Sequence, residues 1–279
     1  MYFPKEFDTT RAIELGGLVQ QAYVQLKAFQ EDKAWKLKGN YSLVNELKYL
    51  WPQVSAIKGA NQFDKELRAI AKSRLQRVQG LPIGFIAEDA GEIFLIFRGT
   101  MTPNEWLRDL HIRLTAYPYF ESSKVHEGFL QTYNVFRATI IESLEALDAR
   151  KGLFIAGHSL GSALATLAAQ DLAVSTGFCA PVIYTFASPR VGDRSFAESY
   201  NRQHGRRSFR IANTSDLIVS MPLPVPFLGF LGGYFTHVET PIDFTVQKED
   251  LEKNHVMETY LTALKKNRGS RGFLKNLFR

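Results

Sequence analysis

The sequence predicts an α/β fold, a mostly parallel sheet with helices on both faces. Short apolar runs alternate with segments of helical periodicity along most of the chain. One of those runs, Leu153–Ala156, passes through a glycine-bounded turn into an Ala- and Leu-rich helix. The 279 residues contain no Pro/Gly/Ser-rich linker, internal repeat or low-complexity tract, which suits one domain over residues 1–264 with a full core.

Asp8-Thr9-Thr10 is a helix start, followed by Ala12, Leu15, Val19, Ala22, Leu26 and Phe29 at helical spacing. Residues 36–77 read as irregular structure and short helix. Leu81–Ala87 and Glu92–Phe97 are strands, and the Asp89-Ala90-Gly91 turn between them makes an N-terminal antiparallel hairpin. Thr102 and Pro103 fit the N-cap and first position of a short helix ending near Leu110, with Trp106 and Leu107 on its apolar face. Phe129, Tyr133, Phe136, Ile140, Leu144 and Leu147 mark a longer amphipathic helix. Beyond the central turn come strands near Val182–Phe186 and Ser208–Ile211, an apolar loop from Met221 to Phe235, strand-like residues 236–246 and a helix from about 255 to 266.

The turn itself is Gly157-His158-Ser159-Leu160-Gly161, preceded by a strand pattern and followed by Ala163, Ala165, Ala168 and Ala169. That context is the one a nucleophile elbow needs. A side chain at either glycine would collide with strand or helix, and the tight turn pushes the Ser159 hydroxyl out at the sheet edge. The Leu160 N–H then lies at a helix start, placed to donate to a developing oxyanion.

Composition narrows the function classes. Net charge is +6, and six of the 34 basic residues lie in a basic tail over 265–279 that holds no acid, which leaves 28 bases against 28 acids elsewhere. A nucleic-acid-binding face would need bases spread over the fold, so no nucleic acid is expected. The single cysteine, Cys179, excludes an intramolecular disulfide framework and reads as a core thiol with no metal cluster around it. The first fifteen residues lack a signal-peptide apolar region, and no stretch reaches the ~18 apolar residues of a membrane span. The expectation is a cytoplasmic protein, peripheral to a membrane at most.

Five blocks together resemble the class 3 lipases, the fungal-lipase-like α/β-hydrolases: Phe97-Arg98-Gly99-Thr100, Val125-His126-Glu127-Gly128-Phe129, the Ser159 elbow, Ser188-Pro189-Arg190-Val191-Gly192, and the Asp216 segment with its following prolines. The similarity spans roughly residues 8–265. It implies an α/β-hydrolase fold and ester hydrolysis of acyl lipids through a Ser-Asp-His triad, with no cofactor and no metal. Triacylglycerol, phospholipid and galactolipid substrates all remain open, as does acyl transfer, and a non-catalytic lipid binder is the reading from another class. Secreted fungal members carry disulfides and a signal peptide, neither of which is expected here, and this sequence has Asp193 where the family often has Asn.

Within that resemblance the site residues follow. Ser159 is the nucleophile. His255 is favoured as general base over His237, because the histidine of these hydrolases arrives last, before the final helix. His158 points away from the site as a structural residue, and His126 is a packing residue. Asp216, after a strand and before a proline-rich loop, is the orienting acid, with Asp193 as its rival. Thr100 and Leu160 supply the oxyanion hole. The helix bearing Trp106 and Leu107 matches the family's lid, and the tail at 265–279, basic with an apolar tip, is a candidate contact for anionic membrane surfaces.

Overall fold

The hydrophobic pattern of the strands decides how the layers form. In the chain's computed structural model, residues 5–50, 66, 67, 69–71, 76, 79–100, 113–120, 122–222, 234–238 and 241–277 are described, with side chains through Arg268. In chain order the first elements are α1 (Thr9–Gln30), β1 (Ser42–Tyr49), β2 (Leu81–Glu88), β3 (Glu92–Phe97), β4 (Leu114–Ala116) and β5 (Lys124–His126). Then follow α2 (Glu127–Glu145), β6 (Gly152–His158), α3 (Leu160–Ser175), β7 (Val182–Phe186), α4 (Arg194–His204) and β8 (Ser208–Asn213). After a 3₁₀ turn at Leu217–Ser220 the chain forms β9 (Pro241–Phe244), α5 (Leu251–His255) and α6 (Met257–Leu277).

Seven described strands make one sheet in the order β1-β2-β3-β6-β7-β8-β9. In this sheet β1, β2 and β3 pair antiparallel and every pairing from β3 to β9 is parallel, whereas β4 and β5 form a separate antiparallel pair. The predicted hairpin is the β2–β3 pair, its turn held by Asp89, whose carboxylate accepts from Gly91 N at 2.9 Å and Glu92 N at 2.8 Å. Along β3 the side chains alternate between faces. Ile93, Leu95 and Phe97 enter the core under α2 and α3, whereas Phe94 and Ile96 enter the core under α1 and α6. Each such fully buried side chain contributes roughly 1.5–3 kcal/mol, so this two-sided burial is what flattens α1 and α6 against one face and α2 and α3 against the other. Asp8 starts α1 by accepting from Thr10 N at 2.7 Å and Arg11 N at 3.2 Å.

Several elements depart from the sequence expectation, among them the short antiparallel pair β4–β5 and the helix α5, none of which was expected. β1 lies inside 36–77, where no strand was expected. It is an edge strand, half of its residues polar and only Leu47 and Tyr49 fully buried, and its pairing with β2 shifts register twice. α4 was also unexpected: it is short and polar, and Phe196, Ala197 and Tyr200 give it a buried face. The last helix runs to Leu277 rather than ending near 266, so the basic stretch that read as a tail continues α6. Cys179 is exposed, not a core thiol. No described helix is long and apolar enough to cross a membrane.

Candidate active site

The elbow forms where β6 hands over to α3. Ser159 sits at φ 57° and ψ −126°, a left-handed backbone for a residue with a side chain, and such strain persists only where the surroundings impose it. Here they do. Ser159 N donates to Phe186 O at 2.9 Å, and the Ser162 hydroxyl lies 2.7 Å from Gly157 O and accepts from Phe186 N at 3.2 Å. A Cβ on Gly157 would run into the Gly161 carbonyl, and one on Gly161 would lie 2.5 Å from Arg98 O. Both glycines are therefore steric necessities, as the motif implied. Leu160 opens α3, where the first helical N–H groups have no intrahelical partner.

Asp216, in the loop after β8, meets His255, which ends α5 on the connection that follows β9. His255 Nδ1 lies 2.7 Å from Asp216 Oδ2, and both side chains are almost wholly buried. The carboxylate has two further donors, the Tyr260 hydroxyl on Oδ2 at 2.7 Å and Ile218 N on Oδ1 at 3.0 Å. Burial, and then the Asp216 charge, push Tyr260 well above the usual phenol range, so it stays a donor. Asn213 ties the two loops together: its side chain donates to Val246 O at 2.9 Å and to Asn254 O at 3.0 Å, and accepts from Val246 N at 2.9 Å. With Nδ1 fixed on the acid, His255 Nε2 is left buried without a hydrogen-bond partner among the described residues, and so is Ser159 Oγ.

His158 joins the elbow to this pair from behind. Its ring centroid lies 4.7 Å from that of His255, and its Nε2 lies 2.7 Å from the His255 carbonyl. A carbonyl only accepts, so Nε2 carries the proton and Nδ1 accepts from the Tyr23 hydroxyl at 2.8 Å. Burial, with His255 beside it, holds His158 well below the usual imidazole range and neutral. It is the structural histidine the sequence indicated.

The rivals hold other posts. Asp193 caps α4, accepting from Phe196 N at 2.8 Å. His237 Nε2 donates to Val219 O at 2.7 Å, and burial together with Arg210 and Arg190 pushes its imidazole down to about 3. His237 lies outside any described strand, beside an isolated bridge at Thr236. His126 caps α2, accepting from Gly128 N at 3.1 Å, and stacks on Phe129. Thr100, almost fully buried after β3, keeps its hydroxyl without a partner among the described residues. Trp106, Leu107 and most of the Met221–Phe235 loop lie outside the described residues.

Sequence reasoning missed Tyr260, Asn213 and Tyr23. Tyr260 follows His255 by five residues and reaches Asp216 only because α5 and α6 meet at a sharp break, which no periodicity reports. Tyr23 hides among the apolar positions of α1; its one signal is a phenol beside a predicted buried stripe.

A model of the lipase (class 3) family matches residues 94–225. Among curated relatives, a lipase of Rhizomucor miehei is 34% identical over 170 residues, covering 57% of this chain and 46% of the relative. Phospholipase A1-II 4 of Oryza sativa subsp. japonica is 29% identical over 231 residues, covering 68% and 56%. Among solved structures, a mono- and diacylglycerol lipase from Aspergillus oryzae superposes with a TM-score of 0.52 at 27% identity, covering 60% of each chain. The chain spans about half the length of the curated relatives it matches.

Proposed function

We propose that this chain, which is similar to the class 3 lipases over residues 94–225 and to their solved structures, is a serine carboxylester hydrolase that acts on acyl lipids. One observation carries the proposal: a buried Asp216–His255 pair whose second imidazole nitrogen, like the hydroxyl of the strained Ser159, is buried without a hydrogen-bond partner among the described residues. Ser159 attacks the ester carbonyl as His255 Nε2 takes its proton. Asp216 holds the Nδ1–H tautomer and stabilises the imidazolium. The N–H groups of Leu160 and Thr100 receive the oxyanion; losing one such donor costs about 10²–10³ in rate. His255 then returns the proton to the leaving alcohol, and water cleaves the acyl-enzyme by the same steps in reverse.

Relatives named for neutral glycerides and for phospholipids both align, so the head group is the open variable of this reading. It extends to the place of action, the cytoplasmic face of an anionic membrane, reached through the basic end of α6. Lys265, Lys266 and Arg268 are exposed there, and each base near such a surface contributes about 1 kcal/mol. One experiment covers both parts. Fatty-acid release is measured from vesicles of phosphatidylcholine, phosphatidylserine, galactolipid or diacylglycerol, using the full chain and the chain truncated after Leu264. The proposal expects release that disappears in Ser159→Ala, and a truncated chain that loses rate on phosphatidylserine vesicles while keeping its rate on a soluble ester. No release from any lipid would sink the lipase reading, and equal rates on phosphatidylserine vesicles would sink the membrane contact.

A further inference from the structure

The segment Arg98-Gly99-Thr100 is held more firmly than a strand-end turn requires. Gly99 packs so tightly on the elbow that an added Cβ would lie 2.7 Å from Ser159 Cβ. Its N–H donates to the Tyr23 hydroxyl at 2.9 Å, which fixes the plane of the Arg98–Gly99 peptide. Its carbonyl accepts from Arg98 Nη1 at 2.5 Å, which fixes the plane of the Gly99–Thr100 peptide. The guanidinium is itself anchored, with Nε donating to Pro82 O at 2.8 Å and Nη1 lying 3.1 Å from Glu66 Oε1.

The second of those peptides carries the Thr100 N–H. In a trans peptide the N–H points opposite to the carbonyl, so whatever aims Gly99 O also aims the Thr100 donor. A cation hydrogen-bonded to the carbonyl polarises the amide as well, and hydrogen bonds in such a chain strengthen one another. We infer that Arg98 and Tyr23 are positioning residues for the oxyanion hole: Tyr23 sets the approach of the strand end, and Arg98 orients and polarises the peptide whose N–H receives the transition-state charge. Neither side chain touches substrate. This inference rests on the assignment of Thr100 as an oxyanion donor in the proposed hydrolase.

A group that acts only when negative charge develops changes kcat and leaves substrate binding alone. Tyr23→Phe keeps the ring and removes the hydroxyl. Arg98→Lys keeps the charge but loses the fork that reaches Pro82, Glu66 and Gly99 together. Kinetics on soluble p-nitrophenyl butyrate are compared with inhibition by an alkylboronic acid, which forms a reversible tetrahedral adduct with a serine, and Ser159→Ala is the reference. For each variant kcat is expected to fall about 10- to 100-fold with KM within twofold, and the boronic-acid inhibition constant to rise by the same factor. The thermal midpoint of Tyr23→Phe is expected to stay within about 5 °C of the parent, which keeps the test open should Arg98→Lys not fold. Unchanged kcat in Tyr23→Phe, or a lower kcat with unchanged boronic-acid affinity, would overturn the inference while Ser159→Ala remained inactive. Full turnover by Ser159→Ala would instead overturn the hydrolase reading beneath it.

Discussion

Asp171, on α3 and facing α2, and Asp216, after β8, are both buried carboxylates that accept from a tyrosine hydroxyl, Tyr133 at 2.6 Å and Tyr260 at 2.7 Å. Their remaining partners differ. Asp171 also receives Arg137 Nε at 2.7 Å and Nη2 at 2.9 Å and the Ser175 hydroxyl at 2.6 Å, so each oxygen has two donors. Its cation is permanent and is itself stacked on the Tyr119 ring, 4.0 Å from the centroid. Asp216 instead faces a histidine, whose far nitrogen has no partner among the described residues. A carboxylate closed by arginine can only hold two helices together. A carboxylate behind an imidazole holds a base that can take a proton and give it back. The same burial and the same phenol thus give a clamp in one place and, in the proposed hydrolase, a proton-transfer device in the other.

The sharpest way to break that contrast is to neutralise each acid in turn. Asp216→Asn keeps the shape but favours the wrong imidazole tautomer, and turnover of a soluble ester is expected to fall about 10⁴-fold with the fold retained. Asp171→Asn leaves a partly buried guanidinium without its counter-charge. It is expected to cost about 3 kcal/mol in denaturant unfolding, with turnover per folded molecule unchanged. A fold lost with Asp216→Asn and an activity lost with Asp171→Asn would reverse the two roles.

The phenols give a smaller version of the same test. Tyr260→Phe removes a donor from the acid behind His255, and kcat is expected to drop on the order of tenfold, the equivalent of one hydrogen bond to a charge. Tyr133→Phe is expected to cost about 1–2 kcal/mol of stability with kcat unchanged. Equal kinetic effects from the two would mean that the Asp216 cluster is only another clamp.

These differences mark where the sequence could be read. The elbow was legible because strand and helix approach so closely around Ser159 that only glycine fits at 157 and 161, and that need is written in the pentapeptide. The β2–β3 hairpin was legible because Asp89 and Gly91 punctuate two apolar runs. Asp216 was separated from Asp193 by its place after a strand and before a proline-rich loop and by family resemblance; what distinguishes them physically is that Asp193 caps a helix three residues on, whereas Asp216 meets a histidine 39 positions away. β1 escaped because an edge strand with few buried positions has little alternation to show. Asn213, Tyr260 and Tyr23 escaped because their contacts join residues 41, 44 and 135 positions apart, and only the folded sheet brings those together.

The central claim is that Asp216, acting through His255, activates Ser159. The rate at which a fluorophosphonate probe modifies Ser159, followed by mass spectrometry of the intact protein and its peptides, reads that activation without dependence on any lipid. One adduct, on Ser159, is expected, formed at the parent rate by folded Asp171→Asn and at least about 10³-fold more slowly by Asp216→Asn and His255→Ala. Modification of Ser159 in Asp216→Asn at the parent rate would contradict that claim.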